Sequence, residues 1–226
     1  MEIPPVSSTS PLEDIGATKI RLLDASERLF AERGFAGASV RDIAEASGCN
    51  LAAMNYHFSS KEKLYQEVML RRMRQLREKR VGVLSELMER FPDGTKLEEV
   101  LRGYAEAFLR SQREPDTARR LLQLFAREFL DPRLPAGTFQ QELMQPIESL
   151  LAEAIRRARP DLDDAVARLC VHSLLAQLVY LAHLPRAHGA AEGPDEAAMD
   201  ALVDHVTRLT TAGVAGYRAP EAAPGA

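Results

Sequence analysis

The side chains with the clearest chemical use lie between Ser39 and Lys61. From Leu51 to His57 they are either small (Ala52, Ala53) or able to hydrogen-bond (Asn55, Tyr56, His57). Asn55 carries the paired donor and acceptor that a bidentate adenine contact needs, and the alanine methyls allow close approach to base edges and contact with a thymine methyl. Met54 and Phe58 stand four apart, the spacing of an inward pair that anchors a short helix. Lys61 falls in the first turn of another helix, where a lysine opposes the helix dipole. A phosphate there removes the conflict, because the helix N-terminus and the ammonium both attract it. Ser39 at the head of the preceding helix, with Arg41 two residues on, can grip phosphate in the same way.

Two short helices have to present these groups. Ser39 followed by Asp42 has capping-box spacing, Ile43 and Ala46 supply an apolar face, and Gly48 turns the chain. Asn50 suits the N-cap of a third helix over 51–58. Two short helices joined by a glycine-containing turn form a helix-turn-helix, whose second helix enters the major groove. A first helix over 18–33 buries Leu22, Leu23, Ser26, Leu29 and Phe30, with Gly34 just past its end. Ser59 and Glu62 have capping-box spacing and open a long fourth helix over 60–90, with Leu64, Val68, Leu76, Val83, Leu84 and Leu87 as its buried stripe. Pro92-Asp93-Gly94 ends it. Thr95 and Glu98 cap a fifth helix reaching Arg113, and a sixth over 116–130 stops at Asp131-Pro132. A seventh over 138–158 is kinked at Pro146, an eighth covers 161–184, and a ninth runs from Pro194, a residue favoured at the first helical position, to Tyr217. No stretch alternates in the strand pattern, so the fold class is all-α with about nine helices.

Composition sets the wider frame. The chain has 226 residues, 46% apolar and 27% charged, with a net charge of −4, ordinary for a globular protein with a core of its own. Residues 17–80 carry 13 basic against 8 acidic residues, and 81–226 carry 16 against 22. A basic N-terminal part on an acidic body fits a polyanion partner at one end. Cys49 and Cys170, far apart, do not suggest a disulfide framework, and a reducing cytosol is expected. The apolar run 169–184 holds His172, Ser173, Gln177 and His183 and reads as too polar and slightly short for a bilayer. The first 16 residues, with three prolines and a Ser/Thr cluster, read as a disordered arm without a secretion signal, and 218–226 as a loose tail.

The order and spacing of Ile20, Ala25, Leu29-Phe30, Gly34-Phe35, Ser39-Val40, Ile43-Ala44, Gly48, Met54, Tyr56-His57-Phe58, Lys61-Glu62 and Leu64 resemble the TetR/AcrR family of one-component transcriptional regulators. The resemblance covers residues 18–70. It implies an all-α homodimer in which a three-helix domain (17–63) binds a palindromic operator in double-stranded DNA. A helical body (64–217) then binds a small-molecule effector and dimerises through the last two helices. It implies a cytoplasmic repressor released by its ligand, with no cofactor and no membrane partner. Matched position by position, it places DNA contacts on Ser39, Arg41, Asn50, Leu51, Ala52, Ala53, Asn55, Tyr56, His57 and Lys61. The family usually has tyrosine where this chain has Asn55, which leaves Tyr56 and His57 for the DNA backbone and frees Asn55 to read a base. It gives the site of Cys49 to a small apolar residue. The segment Arg127 to Pro132 is similar to the CerR-like subgroup.

The body is less informative. Tyr104, Phe108, Phe125, Phe129, Met144 and His172 are candidate lining residues for an effector pocket among the fourth to eighth helices, although each also suits plain core. Leu169, Val171, Leu174, Leu175, Leu178, Val179 and Leu181 make the eighth helix more apolar than one small domain needs, as a dimer interface requires. Arg71, Arg72, Arg74, Arg77, Lys79 and Arg80 spread round most of a helix and read as a solvated, ion-paired surface. His172, His183, His188 and His205 lack partners at metal-ligand spacing, so no metal is expected. No nucleophile, zinc, P-loop or dinucleotide motif occurs, which argues against an enzyme. The competing reading is a helical small-molecule-binding or scaffold protein without operator binding.

Overall fold

The computed structural model describes residues 11–92, 96–111, 115–187 and 195–217. All regular structure among them is helical: α1 (Pro11–Gly37), α2 (Val40–Ser47), α3 (Leu51–His57), α4 (Lys61–Arg90), α5 (Leu97–Arg110), α6 (Pro115–Leu130), a π-helical turn (Gln140–Met144), α7 (Gln145–Ala158), α8 (Asp164–Ala187) and α9 (Glu196–Gly216). The all-α expectation holds, with nine α-helices among the described residues. Residues 1–10 and 218–226 lie outside them, and α1 begins at Pro11, within the stretch read as a loose arm.

The chain forms two compact units that do not follow chain order: Met1–Arg72 with Arg119–Ala136, and Met73–Ala118 with Gly137–Ala226. The division at residue 63 read from the sequence therefore names only part of the first unit, which also takes most of α6 and the turn after it.

In the first unit, Leu22, Phe30, Ile43, Met54, Leu64 and Met69 are all but fully buried. Phe30 and Tyr65 meet edge to face at 5.1 Å, and Phe35 and Tyr65 at 5.4 Å, a preferred aromatic geometry. Gly34 breaks α1 with φ 73°, and a Cβ there would stand 2.9 Å from the Arg127 Nη1. The Arg127 side chain takes the end of α1: its Nε donates to the Ala31 carbonyl (3.1 Å) and its Nη2 to that of Glu32 (2.9 Å). These carbonyls lack helical partners at a helix end. Beside it, the buried Glu128 carboxylate accepts from the Tyr65 hydroxyl (2.8 Å) and from the backbone N–H groups of Arg133 (2.9 Å) and Leu134 (2.8 Å). Burial and the adjacent Glu128 push the Tyr65 phenol well above its ordinary range. Arg72 forms a bidentate pair with the buried Glu27, and Arg71 pairs with Asp24 at 2.6 Å.

Several helix starts differ from the expectation by a residue or more. Ser60 rather than Ser59 caps α4, its hydroxyl accepting the Lys63 N–H at 3.2 Å. Lys96 stands at the N-cap of α5 with no side-chain bond, and Thr95 lies outside the described residues. Helix α5 ends at Arg110, before Arg113. Asp195 caps α9 by accepting the Ala198 N–H at 2.8 Å, the helix running from Glu196, and Pro194 lies outside the described residues.

In the second unit, α5 and α9 are joined by Arg102–Asp204 (2.9 Å) and Arg110–Asp200 (2.9 Å), over a core that includes Leu101, Tyr104, Val171, Leu174 and Val206. The kink expected at Pro146 takes the form of the π-helical turn: the Gln145 N–H reaches back to Gln140 O. Proline has no N–H for the Glu142 carbonyl and its ring crowds that oxygen. Arg77 Nη1 donates to it instead at 3.0 Å and pairs with the Glu142 carboxylate at 3.1 Å. Helix α8 corrects the reading of its apolar run as too short: Asp164–Ala182 is long and apolar enough, by length and composition, to cross a membrane. Here Val171, Leu174 and Leu178 are fully buried, and α8 packs against α7 and α9.

Replacing Glu128 with alanine strands the Tyr65 hydroxyl and two backbone donors, and a buried donor left unmatched costs about 1–3 kcal/mol. Glu128→Ala is expected to lower unfolding stability by about 2–4 kcal/mol in urea titration, with Glu128→Gln intermediate. A loss below about 0.5 kcal/mol would show that this carboxylate is not structural.

Candidate nucleic-acid interface

Helix α2 starts from a complete capping box: the Ser39 hydroxyl accepts the Asp42 N–H (3.1 Å) and the Asp42 carboxylate accepts the Ser39 N–H (3.0 Å). The Ser39 hydrogen bonds, with Arg33 adding a weaker attraction, hold the Asp42 carboxyl below its ordinary 3.8. Gly48 closes the helix in the left-handed region (φ 64°), and its N–H bonds Ala44 O and Glu45 O. That conformation favours glycine and lets the chain reverse within three residues. The Asn50 side chain then accepts the Ala53 N–H at 2.8 Å and opens α3. Cys49, part-buried, donates its thiol to the Ser47 carbonyl at 3.6 Å.

Helix α3 is short, and two side chains seat it. Met54 and Phe58 are buried, as their spacing predicts, while Leu51, Ala52, Asn55 and Tyr56 face solvent and Ala53 and His57 are half-buried. Tyr56 is 74% exposed, its ring edge-on to His57 at 5.1 Å. Ser39, Arg41 and Asn50 are exposed as well. Two small residues, an amide, a phenol and an imidazole thus sit on one helix, with the amide and the phenol projecting. That set matches the chemistry of base edges and phosphates.

Lys61 finds a partner that its spacing did not indicate. Its Nζ stands 4.4 Å from the centre of the Phe35 ring, and the Arg133 guanidinium lies over the same ring at 5.1 Å. The ring quadrupole supports a cation at the start of α4, alongside the first-turn acid Glu62. Phe35 is therefore a positioning residue for Lys61. The sequence held a signal for it only as an aromatic just past a helix-ending glycine.

The six candidate effector-lining residues do not come together. Tyr104 and Phe108 line one narrow cleft with Leu76, Lys79, Arg80 and Val83. Met144 and His172 line a separate, open depression of about 490 Å³ with Glu148, Leu175 and Tyr180. Phe125 and Phe129 belong to the first unit, and Phe129 is 86% exposed. His172 Nε2 lies 3.4 Å from the buried Glu148 carboxylate. The basic run is ion-paired as expected at Arg71, Arg72, Arg74 and Arg77. Arg80 departs from it, since its Nε is shielded from solvent with no hydrogen-bond partner among the described residues. The signal was present: Arg80 lies four after Leu76 and three before Val83, inside the stripe that marks the buried face.

Residues 22–68 match the family profile described as bacterial regulatory proteins, tetR family, and residues 102–213 match the tetracyclin repressor-like C-terminal domain. The HTH-type transcriptional repressor Rv3405c of Mycobacterium tuberculosis is 33% identical over 183 residues, 80% of each chain. The HTH-type transcriptional repressor KstR2 of Rhodococcus jostii is 39% identical over 69 residues, so this chain matches 32% of its length. Among solved structures, a TetR family transcription regulator from Marinobacter aquaeolei superposes with a TM-score of 0.67 at 19% identity, covering 87% of this chain and 97% of that one. A transcriptional regulator from Pseudomonas aeruginosa does so with a TM-score of 0.67 at 21% identity over 93% and 92%.

The Ser39–Asp42 box makes the stability of α2 acid-sensitive. A carboxyl held below its ordinary value contributes fully above that value, 3.8, and loses the contribution as pH falls through its lowered value. Asp42→Asn is expected to flatten the acid limb of the unfolding profile below that pH, read by urea titration across the acid range. An unchanged acid limb would exclude the linkage.

Proposed function

Because the chain belongs to the TetR family of transcriptional regulators, we propose that it is a ligand-responsive repressor that binds a palindromic operator as a homodimer in the cytoplasm. The observation that carries this reading is the division of α3: Met54 and Phe58 are buried, while Leu51, Ala52, Asn55 and Tyr56 project. Asn55 reads a base, Ala52 and Ala53 let the helix approach, and Leu51 packs on a thymine methyl. Ser39, Arg41, Asn50, Tyr56, His57 and Lys61 hold the phosphates and set the register. Lys61 reaches its phosphate from the face of Phe35, where an ammonium keeps its N–H donors free.

A palindrome requires two such helices about 34–36 Å apart. Helices α8 and α9 support a twofold partner, because Leu169, Val179, Tyr180 and Leu209 are exposed there although α8 also supplies the fully buried Val171, Leu174 and Leu178. An apolar face of this kind is expensive to leave in water and suits a permanent interface. An effector that binds better to a dimer with its α3 helices at another spacing releases DNA in proportion to that difference, about 1.4 kcal/mol for each factor of ten.

Two measurements test the reading. In fluorescence anisotropy with operator duplex, Lys61→Ala is expected to weaken binding to every sequence and to lower the log–log salt slope by about 0.9 per protomer. Asn55→Ala is expected to cost about 1–3 kcal/mol on the operator and much less on random DNA. Equal losses on both duplexes would remove Asn55 from base reading. In sedimentation velocity, Tyr180→Glu is expected to convert dimer to monomer, and an unchanged dimer would place the interface elsewhere.

A further inference from the structure

The cleft between the second half of α4 and α5 holds polar groups that nothing above uses. Arg80 and Tyr104 face it; Tyr104 is only 1% exposed, and neither its hydroxyl nor the Arg80 Nε has a hydrogen-bond partner among the described residues. Leu76, Val83 and Phe108 form apolar walls, Lys79 adds a second cation, and no carboxylate lines the space among the described residues. The inner cavity measures about 20 Å³, within a cleft of about 280 Å³ counted to its mouth.

This arrangement is costly as it stands. Arg80 is half-buried with its Nε shielded from solvent, and a shielded N–H or a buried hydroxyl without a partner is unfavourable. No ion pair reaches Arg80 among the described residues, and burial lowers its tendency to stay protonated. The same burial pushes the Tyr104 phenol up to about 12, so it stays a donor. Phe108 offsets part of the cost, since the Arg80 guanidinium carbon lies 4.1 Å from its ring centre. A cation–ring contact uses none of the guanidinium N–H donors in conventional hydrogen bonds, and the Arg80 Nε has no acceptor among the described residues. A planar fork matches a carboxylate, whose two oxygens can take paired charge-assisted bonds.

We propose that this cleft is the effector site and that the effector is a small organic acid, its carboxylate on Arg80 and Tyr104 and its apolar body against Leu76, Val83 and Phe108. The proposal names the ligand class of the repressor described above and rests on that reading for its regulatory meaning. Lys79 at the mouth attracts the acid and contributes less than Arg80, because an exposed charge is screened. A tetrahedral dianion such as phosphate fits less well, since two donors in a space of this size leave most of its oxygens without partners.

Isothermal titration of the DNA-free full-length protein with benzoate and octanoate, each beside its neutral amide, tests the site. At least one acid is expected to saturate at millimolar concentration or below, with its amide at least about tenfold weaker. Arg80→Gln is expected to weaken the acid at least about tenfold, and Tyr104→Phe about threefold to tenfold. Far-UV circular dichroism checks folding, and if Arg80→Gln fails to fold, Tyr104→Phe decides. Equal binding of acid and amide, parental binding by both variants, preferential binding of inorganic phosphate, or no binding of either acid overturns the proposal. Operator affinity measured without acid is a separate readout. Intact operator binding with no acid binding defeats this inference alone, whereas acid binding with no operator binding defeats the repressor reading alone.

Discussion

A buried carboxylate with three donors fixes the part of the molecule on which the candidate interface depends. Glu128 binds the Tyr65 hydroxyl and two successive backbone N–H groups, and Arg127 beside it closes the end of α1. Tyr65 packs on Phe30 and Phe35, and Phe35 in turn carries Lys61. The same few contacts therefore set where α1 ends, where α4 begins, and where the cation at its head is held. Buried polar groups tolerate few alternative arrangements, because each unmatched donor carries a large penalty. The end of α1 and the start of α4 are for that reason set by charge and hydrogen bonding, as well as by apolar packing.

What could be read from the amino acids alone follows the reach of the interaction. The Ser39–Asp42 box, the Asn50 cap and the inward Met54–Phe58 pair each involve residues three or four apart, and spacing reveals them. Contacts such as Arg127 on Ala31 and Glu32, Arg77 on the carbonyl opposite Pro146, and Lys61 on Phe35 join residues far apart in the chain. No local pattern encodes them. Ser59 and Ser60 are adjacent and both suit a cap, and the structure uses the second, whose hydroxyl accepts the Lys63 N–H. For the effector-lining candidates the aromatic side chains do not state which face of their helix is covered. Phe129 lies in water, while Tyr104 is almost fully enclosed.

Helix α4 links the two proposals. Lys61 at its head holds a place in the candidate DNA interface, and Arg80 farther along the same helix faces the anion cleft. A long helix transmits displacement along its axis with little loss. Under the two proposals, an acid bound at Arg80 acts on the helix whose first turn carries Lys61. The energetic requirement is modest, a preference of a few kcal/mol between two arrangements of the dimer.

The account stands or falls on α3 acting as a pair of DNA-reading helices related by a twofold axis. Selection of binding sequences from a pool of random duplexes by the full-length protein tests this most directly. The prediction is enrichment of an inverted repeat whose half-site centres lie about 10 bp apart or at a multiple of that distance, read on the major-groove edge. A pool that stays unenriched, or that yields a single unrepeated site, would contradict it.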